Sequence, residues 1–298
     1  MTTPPDTATP GLTALARPSG GLAMLAVDQR EALRAMLAEH TAGPVDDATV
    51  TDFKLMATRE LTPFASAVLL DKQFVLDRAL AEGAVDPACA LIAAADEFIP
   101  GNAPGEFVGD VRIDESVDPA HYARQGAKAL KLLVLWRSDE PAEARVAMVR
   151  DFVARCRAAS LLAIIEPVCR PPRDGSSFDR ETSIVAAAHE LGGLGADLYK
   201  GEVPLKGRAE VTRLREACGP IHDAVDSQWV VLSSGVDVDD FPGAVRAAVL
   251  AGASGFLAGR AVWTNCVGAP DLAAALRSDA VPRLQRLALT VDEALEQR

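Results

Sequence analysis

The sequence predicts an α/β fold, a single (β/α)8 TIM barrel, on three observations. Eight short apolar runs recur along the chain, a segment of helical character follows each run, and no G-x-G-x-x-G motif follows the first. Eight strand-then-helix units in about 260 residues is the count of a closed barrel. A doubly wound open sheet, the alternative, usually has fewer strands and a glycine-rich first turn. The runs are residues 21–28, 65–71, 89–96, 129–136, 161–167, 196–203, 229–235 and 254–260.

The eight runs are apolar along nearly their whole length, as GLAMLAVD (21–28) and LLAIIEP (161–167) illustrate. Strands without polar alternation are covered on both faces, as in a parallel sheet. The segments between them carry helix signals. DDATVTDFKLMATREL (46–61) opens with capping residues, and DVDDFPGAVRAAVLAG (237–252) has an acidic first turn and a terminal glycine.

Residues 1–16 are predicted to be a disordered N-terminal tail and residues 17–298 one catalytic barrel domain. The first ten residues, MTTPPDTATP, lack the charged-then-apolar order of a signal peptide. No run reaches the roughly 18 apolar residues of a membrane span. Barrels of about 250 residues or more commonly form one domain, so 298 residues do not require two.

The formal net charge of −12 comes from 30 basic and 42 acidic side chains. A field of that sign repels nucleic acid and anionic membranes, so we expect neither as a partner. A small anionic substrate remains possible, because a local basic cluster can outweigh the net charge. Five widely spaced cysteines without a C-x-x-C pair indicate a reduced, cytoplasmic protein.

Ionisable residues stand at the carboxyl ends of the predicted strands, where barrel enzymes place their active sites. A strand-end aspartate is also a common helix N-cap, so a purely structural role is the alternative for each aspartate. That alternative is weaker for the two lysines and the glutamate, which lie inside their apolar runs. These strand-end residues are Asp28, Asp71, Asp96, Lys131, Glu166 and Lys200.

Lys200, in ADLYKGEV (196–203), is the predicted nucleophile. Burial and a neighbouring cation, here Lys131, both favour a neutral amine, which attacks carbonyl carbons and forms a Schiff base. The protonated imine then accepts the electrons of the adjacent carbon–carbon bond. Glu166 is suited to move protons, and Lys131 with Asp28 to orient substrate hydroxyls. This chemistry needs no cofactor beyond the covalent imine.

The last two predicted strands end in SSGV (233–236) and AGRAVW (258–263). The loops after strands seven and eight of a barrel often bind phosphate through free backbone amides and helix N-termini. Each motif alone is common, but their joint placement predicts a phosphate site. Its residues are Ser233, Ser234, Gly235, Gly259 and Arg260.

Metal binding is not predicted, because the four histidines show no H-E-x-x-H or paired spacing. The Pro/Gly-rich segment 169–181 lies beside the expected mouth of the barrel. A mobile lid and a solvated loop are equal alternatives for it.

These motifs resemble those of the sulfofructosephosphate aldolases, in the wider class I aldolase family that includes tagatose-bisphosphate aldolase. The resemblance runs from about Arg17 almost to the C-terminus. The blocks that carry it are AMLAVDQRE (23–31), SAVLLDKQF (66–74), DEFIPGN (96–102), GAKALKLLVLWRSDE (126–140), LAIIEPVCRPPR (162–173), ADLYKGEVPL (196–205), VVLSSGVD (230–237) and GASGFLAGRAVW (252–263).

The resemblance implies cleavage of 6-deoxy-6-sulfofructose 1-phosphate to dihydroxyacetone phosphate and 3-sulfolactaldehyde, a step of sulfoglycolysis in sulfoquinovose degradation. It implies Lys200 as the Schiff-base lysine and Glu166 as the acid/base carboxylate, with Lys131 and Asp28 in support. It also implies that the residues of the predicted phosphate site hold the dihydroxyacetone phosphate half, and that copies of the chain form a homo-oligomer.

For the sulfonate end, LLVLWRSDE and EPVCRPPR point to two arginines. A sulfonate is a monoanion that one arginine and a few neutral donors satisfy, whereas a phosphate dianion calls for more positive charge. The candidates are Arg137 and Arg170, with Gln29, Arg30, Lys72 and Gln73.

Gly201 departs from the family pattern, because relatives carry a bulkier aliphatic residue there. A glycine leaves a gap or extra backbone freedom beside Lys200. Two functional alternatives stay open: a tagatose or fructose bisphosphate aldolase of the same mechanism, and a non-catalytic barrel that binds a sugar phosphate.

Overall fold

The computed structural model describes residues 11–102 and 105–298, and its centre is a closed barrel of eight parallel strands. Each of the eight predicted runs forms one barrel strand, which confirms the (β/α)8 fold. The strands of the described residues are β1 (Leu22–Val27), β2 (Ala67–Leu70), β3 (Ala90–Ala94), β4 (Asp96–Ile99), β5 (Asp110–Ile113), β6 (Ala127–Trp136), β7 (Leu162–Cys169), β8 (Leu198–Gly201), β9 (Gln228–Val231) and β10 (Gly255–Ala258).

The barrel order is β1-β2-β3-β6-β7-β8-β9-β10, and β10 pairs with β1 to close it. Strand register decides which side chains share a layer of the barrel. Ala94 of β3 lies beside Lys131 of β6, and Leu133 of β6 lies beside Glu166 of β7. Lys131 and Glu166, from neighbouring strands, therefore lie at similar levels along the barrel axis.

Strands β4 and β5 form a separate antiparallel ribbon inserted after β3, which was not predicted. Its outer face carries the ion pair between Arg112 and Glu97, with Nε and Oε2 2.7 Å apart. Its other face packs Phe98 and Val111 against Leu135 of the barrel and neighbouring apolar residues. The ribbon thus covers part of the carboxyl-terminal mouth.

Helices surround the barrel, and buried side chains on both sides of each barrel strand explain the unbroken apolar runs. The α-helices are α1 (Glu31–Ala38), α2 (Asp47–Leu61), α3 (Leu76–Ala81), α4 (Pro119–Arg124), α5 (Ala142–Ala158), α6 (Arg180–Leu191), α7 (Val211–Ala224), α8 (Phe241–Ala251), α9 (Arg260–Trp263), α10 (Leu272–Ala275) and α11 (Val281–Glu296).

The predicted disordered tail, residues 1–16, includes residues that are ordered in the structure. Residues 1–10 lie outside the described residues, but Leu12–Leu15 forms a 3-10 helix. Leu15 is completely buried against Leu22 and Met24, which line the barrel interior near its amino-terminal end. The apolar contact of Leu15 with these residues at the amino-terminal end of the barrel accounts for this local order.

No helix within residues 11–102 and 105–298 is long and apolar enough to cross a membrane.

Candidate active site

The four predicted catalytic side chains converge at the carboxyl-terminal end of the barrel. Asp28 follows β1 directly, while Lys131, Glu166 and Lys200 lie in β6, β7 and β8. All four are buried. Side chains alternate between the two faces of a strand, and the neighbours two residues earlier, such as Ile164 in β7, line the barrel interior. The same alternation turns the charged side chains inward.

Glu166 connects the two lysines. Its Oε1 lies 2.9 Å from Lys200 Nζ, and its Oε2 lies 3.1 Å from Lys131 Nζ. Oε2 is buried and has no hydrogen-bond partner in the described part of the chain. One carboxylate therefore contacts both cations, and its Oε2 meets Lys131 as an ion pair without hydrogen-bond geometry.

Lys131 is surrounded by three carboxylates. Its Nζ lies 2.7 Å from Asp28 Oδ2 and 2.7 Å from Asp96 Oδ2, in addition to Glu166. Burial disfavours the charged amine, but the charges of Asp28, Asp96 and Glu166 outweigh burial and hold the pKa of Lys131 well above its ordinary value. Lys131 is therefore a permanent cation at neutral pH.

Asp28 is held ionised by the same cluster. Burial alone would raise its pKa, but the Lys131 and Lys200 ammonium groups outweigh burial and hold the pKa of this carboxyl well below its usual range. Its other oxygen accepts a hydrogen bond from Gln29 Nε2 at 3.3 Å. Asp28 is thus an oriented anion among the buried charged side chains of the site.

Asp96 belongs to this cluster, although only its position at a strand end was recognised from the sequence. Its side chain is completely inaccessible. Besides Lys131, it accepts hydrogen bonds from the Leu133 backbone N–H at 3.0 Å and from Arg30 Nη2 at 2.8 Å. The available signal was its place directly after an apolar strand, shared with Asp28 and Asp71.

A second buried ion pair, between Lys54 of α2 and Asp71 after β2, was not predicted from the helix sequence. Both side chains are completely inaccessible. Burial lowers the pKa of Lys54 and raises that of Asp71, and in both cases it outweighs the attraction of the partner. Asp71 Oδ1 also accepts a hydrogen bond from the Phe74 N–H at 2.9 Å. This pair anchors α2 to the rim of the barrel.

The predicted phosphate residues lie together on the β9 and β10 side. Arg260 Nη2 donates to Ser234 Oγ at 2.6 Å, and the Ala261 N–H donates to Ser233 Oγ at 3.4 Å. Gly235 has a φ of +77°, which favours glycine. Burial lowers the pKa of Arg260 and outweighs the opposing charges of Glu166 and Asp28.

Gly259 allows a close approach between β10 and β1. A Cβ atom at this position would lie 2.3 Å from the Ala26 carbonyl oxygen and 2.8 Å from Gln29 Nε2. Gln29 is therefore beside the predicted phosphate loops. The sequence placed it at the opposite, sulfonate end of the substrate.

Two of the sulfonate candidates are engaged in ion pairs. Arg30 is bound to Asp96 and stacks on the Phe98 ring, with its Cζ 4.1 Å from the ring centroid. Arg137 is buried and lies 3.3 Å from Glu106 and 3.4 Å from Glu140. Their charges are largely balanced by the protein itself.

The other candidates differ in their surroundings. Lys72 Nζ donates to the Ser116 carbonyl, and Gln73 is exposed. Arg170 is half-buried after β7, and its backbone N–H donates to the Trp136 carbonyl at 2.9 Å. Its side chain makes no hydrogen bond or ion pair within the described residues. It lies close enough to Arg260 for its charge to add to burial in lowering the Arg260 pKa. Arg170 thus contributes positive charge near the predicted phosphate site.

The loop after β7 touches two neighbouring segments. Arg173 Nη2 donates to the Gly109 carbonyl at 2.7 Å, and the Arg173 and Asp174 N–H groups donate to Asp139 Oδ2 at 2.7 and 3.0 Å. The loop is thus bonded to the ribbon and to the segment after β6. Neither the lid nor the solvated-loop interpretation is decided by these contacts.

The packing at Gly201 resolves the question raised by its departure from the family pattern. A Cβ atom there would lie 3.2 Å from the Tyr199 ring and 3.9 Å from the Trp229 ring. These aromatic rings occupy the space that a larger side chain would need.

No group of three or more His, Cys, Asp or Glu residues arranged to hold a metal ion occurs among residues 11–102 and 105–298.

The fold is a (β/α)8 barrel in which Lys131 and Lys200 are buried at the carboxyl-terminal end. The chain belongs to the DeoC/LacD family of aldolases, whose model matches residues 22–265, and is therefore a lyase. It is 30% identical over 286 residues to the tagatose 1,6-diphosphate aldolase of Listeria monocytogenes serotype 4a, covering 86% of this chain and 81% of the relative. Identity to tagatose 1,6-diphosphate aldolase 2 of Enterococcus faecalis is 29% over 283 residues, covering 85% and 82%.

Solved structures of fructose-bisphosphate aldolases share the fold. The Plasmodium falciparum enzyme superposes with a TM-score of 0.66 at 13% identity, covering 98% of this chain and 96% of that one. The Slackia heliotrinireducens enzyme gives a TM-score of 0.65 at 16% identity, covering 93% and 88%. At these identities the likeness concerns the fold alone.

Proposed function

We propose that this aldolase acts through a Schiff base on Lys200, without a metal ion, and cleaves a ketohexose 1-phosphate to dihydroxyacetone phosphate and an aldehyde. The observation that carries the proposal is the carboxylate of Glu166 between two buried lysines, 2.9 Å from Lys200 and 3.1 Å from Lys131. A nucleophile, a proton acceptor and a fixed cation are thereby within contact of one another.

The first step requires a neutral Lys200 amine. Transfer of one ammonium proton from Lys200 to Glu166 produces both the nucleophile and a carboxylic acid. The amine attacks the C2 carbonyl of the substrate, and the resulting carbinolamine loses its hydroxyl as water when Glu166 returns a proton. The product of this step is a protonated imine.

The second step breaks the C3–C4 bond. A carboxylate removes the proton of the C4 hydroxyl, the C4 oxygen becomes a carbonyl, and the bonding electrons move into the imine to give an enamine. Oε2 of Glu166, which is ion-paired with Lys131 but has no hydrogen-bond partner among the described residues, is suited to accept this proton, and the Asp28 carboxylate is suited to orient the substrate hydroxyls. Protonation at C3 and hydrolysis then release dihydroxyacetone phosphate and regenerate Lys200.

The phosphate of the substrate is assigned to the β9 and β10 side. Ser234 and Arg260 are hydrogen-bonded to each other there, and Arg170 adds a second, unpaired cation. Two arginines suit a phosphate dianion. This placement puts the C1 phosphate on the Arg260 side of the Lys200 amine and leaves C4–C6 for the side of Asp28 and the ribbon.

We assign 6-deoxy-6-sulfofructose 1-phosphate as the substrate, with 3-sulfolactaldehyde as the second product in sulfoglycolysis. The charge balance at the far end supports a monoanion there. Arg30 is paired with Asp96, and Arg137 with Glu106 and Glu140. Neutral donors such as Gln73, together with Lys72, satisfy a sulfonate more readily than a second phosphate dianion.

Tagatose 1,6-bisphosphate is the second candidate substrate. It is favoured by the 30% identity to a Listeria monocytogenes protein whose name is tagatose 1,6-diphosphate aldolase. The two substrates differ at C6, where one carries a sulfonate and the other a phosphate, and also in the configuration at C4.

Covalent trapping tests the mechanism. Incubation with dihydroxyacetone phosphate and borohydride should add one label, located at Lys200 by peptide mass spectrometry, and EDTA should not change the activity. Lys200→Met should abolish the label. Lys206→Met, an exposed lysine of the same segment, is the matched control and should keep it. Folded protein without any label would refute the Schiff-base mechanism.

A substrate panel tests the specificity. The value of kcat/KM should be at least about tenfold higher for sulfofructose 1-phosphate than for tagatose or fructose 1,6-bisphosphate, which corresponds to roughly 1.4 kcal/mol. Comparable values for the sulfo-sugar and tagatose 1,6-bisphosphate would remove the sulfo-sugar assignment and leave the aldolase mechanism intact.

A further inference from the structure

We infer that Asp96 is a positioning residue for the proposed reaction, fixing the Lys131 ammonium against Asp28 and Glu166, and that Arg30 in turn holds Asp96. This inference rests on the proposed Schiff-base function and adds two residues to its machinery. It also gives Arg30 a role different from sulfonate binding.

Asp96 is the most deeply buried of the three carboxylates around Lys131. Its side chain is 0% exposed, whereas Asp28 and Glu166 retain 8% and 11% side-chain exposure. The substrate can therefore reach Asp28 and Glu166 but not Asp96.

The geometry of Asp96 is fixed by the backbone. Its Oδ2 accepts from the Leu133 N–H at 3.0 Å and from Lys131 Nζ at 2.7 Å. Leu133 is two residues beyond Lys131 on the same strand. A lysine ammonium lies at the end of a flexible four-carbon chain. Because Asp96 is bonded to the backbone of β6, the strand that carries Lys131, it restricts where that ammonium can lie.

Arg30 completes the arrangement. Its Nη2 donates to Asp96 Oδ1 at 2.8 Å and to the Asp96 carbonyl oxygen at 2.8 Å, and its guanidinium stacks on the ring of Phe98 in the ribbon. The positive charge of Arg30 balances the negative charge of Asp96. Lys131 can then face three carboxylates without an excess of buried negative charge.

This arrangement separates the roles of the two lysines. Three carboxylates lie within 3.1 Å of the Lys131 ammonium, so Lys131 remains a cation and does not compete for the substrate carbonyl. Lys200 contacts one carboxylate, Glu166, which it shares with Lys131. The charged groups that act on Lys131 are Asp28 after β1, Arg30 before α1, Asp96 at the start of β4, Glu166 in β7 and Lys200 in β8.

The test is Asp96→Asn, which preserves shape and removes the negative charge. The matched control is Asp71→Asn, because Asp71 is an equally buried carboxylate after the neighbouring strand, paired with Lys54 rather than with Lys131. For both variants, kcat, KM and their pH dependence are measured for cleavage of the best substrate of the panel. Thermal unfolding is measured alongside.

We expect Asp96→Asn to lower kcat at least about tenfold with KM changed less than about threefold. Its activity should also fall at alkaline pH where the wild type keeps its activity, because Lys131 has lost one stabilising anion and deprotonates at lower pH. Borohydride labelling of Lys200 should persist. Asp71→Asn should keep a wild-type kcat and pH profile, even where it lowers the unfolding temperature.

A pH profile and kcat for Asp96→Asn equal to those of Asp71→Asn would overturn the inference and leave only a structural role. If Asp96→Asn does not fold, Arg30→Gln decides. The same alkaline loss of activity supports the inference, and a wild-type profile overturns it. Failure of the proposed function can be distinguished from failure of this inference. If the proposed function is wrong, the wild-type protein itself shows no labelling of Lys200.

Discussion

Replacing Lys131 by methionine should destabilise the fold in a way that depends on pH. The substitution preserves most of the apolar chain and removes the charge, leaving three buried or nearly buried carboxylates without their shared cation. They are Asp28, Asp96 and Glu166, whose oxygens lie 2.7, 2.7 and 3.1 Å from Nζ.

The magnitude follows from those distances. At 2.7 Å and an effective dielectric constant of about 20, each pair has a gross attraction of about 6 kcal/mol. Desolvation of the ions offsets most of it, and removal of one partner from a buried ion pair typically costs about 3–5 kcal/mol. We expect Lys131→Met to lower the free energy of unfolding by about that amount at pH 8.

The sign of the pH dependence can be worked out from the carboxylates. In the wild type, the pKa of Asp28 is held below its unfolded value, so its contribution to stability is present above the unfolded pKa and is lost as pH falls through the folded pKa. Without Lys131, the carboxylates of the cluster prefer to take up protons, and a folded pKa above the unfolded one stabilises at low pH. The deficit of the variant should shrink between pH 8 and pH 5.5.

The assay is urea unfolding followed by tryptophan fluorescence at both pH values. Lys54→Met is the control, because Lys54 is an equally buried lysine with one carboxylate partner, Asp71, whose pKa burial already raises. It should cost less than Lys131→Met. The reasoning fails if the Lys131→Met deficit is the same at pH 8 and pH 5.5, or no larger than that of Lys54→Met.

Three further outcomes are expected. Arg260→Ala should raise KM for the phosphorylated substrate by roughly 10–100-fold, since a charge-assisted hydrogen bond contributes about 1.5–3 kcal/mol; steady-state kinetics with an unchanged KM would refute its role. Gly259→Ala should lower the unfolding temperature, because the new Cβ would lie 2.3 Å from the Ala26 carbonyl oxygen. Gly219→Ala is the control: it lies inside α7 with no atom within 4 Å of the new Cβ, and it should raise the free energy of unfolding by about 0.5–1 kcal/mol. Burial raises the pKa of Cys89 to about 12, so a thiol reagent at pH 8 should modify it only in urea, and rapid labelling of the native protein would contradict that.

The barrel was predictable from the sequence because its signal is local and repeated. Each strand is an unbroken apolar run, and the chain interleaves eight of them with helical segments. The convergence of Lys131, Glu166 and Lys200 followed from alternation along the strands and from the polarity of a parallel barrel. Their chemical roles remain predictions.

The ribbon after β3 was missed, although its sequence contains a signal. DVRI (110–113) alternates polar and apolar residues, and DEFI (96–99) and DVRI flank a stretch rich in glycine and proline, as hairpin strands do. The third predicted run, 89–96, included Asp96 as the end of a barrel strand. In the structure β3 ends at Ala94, and Asp96 begins the ribbon.

The partners of the arginines could not be predicted. Arg137 was a candidate for anion binding because of the LLVLWRSDE block, and Arg30 was a candidate with it. Their charges are instead matched by Asp96 and by Glu106 and Glu140, from segments 66, 31 and 3 residues away. Such pairing depends on how loops fold back over the mouth, for which the sequence contains no periodic signal.

The comparison of three buried lysines in one protein shows how the number of anions determines the state of an amine. Lys54 has one carboxylate partner, and burial outweighs it, so the pKa of Lys54 is lowered. Lys131 has three carboxylates, which outweigh burial, so its pKa is raised. Lys200 has one carboxylate, shared with Lys131, and this carboxylate is the acceptor 2.9 Å away for the proton that a nucleophilic amine must lose. In the proposed mechanism, the three carboxylates around Lys131, rather than any feature of the lysine itself, make it the electrostatic residue and leave nucleophilic attack to Lys200.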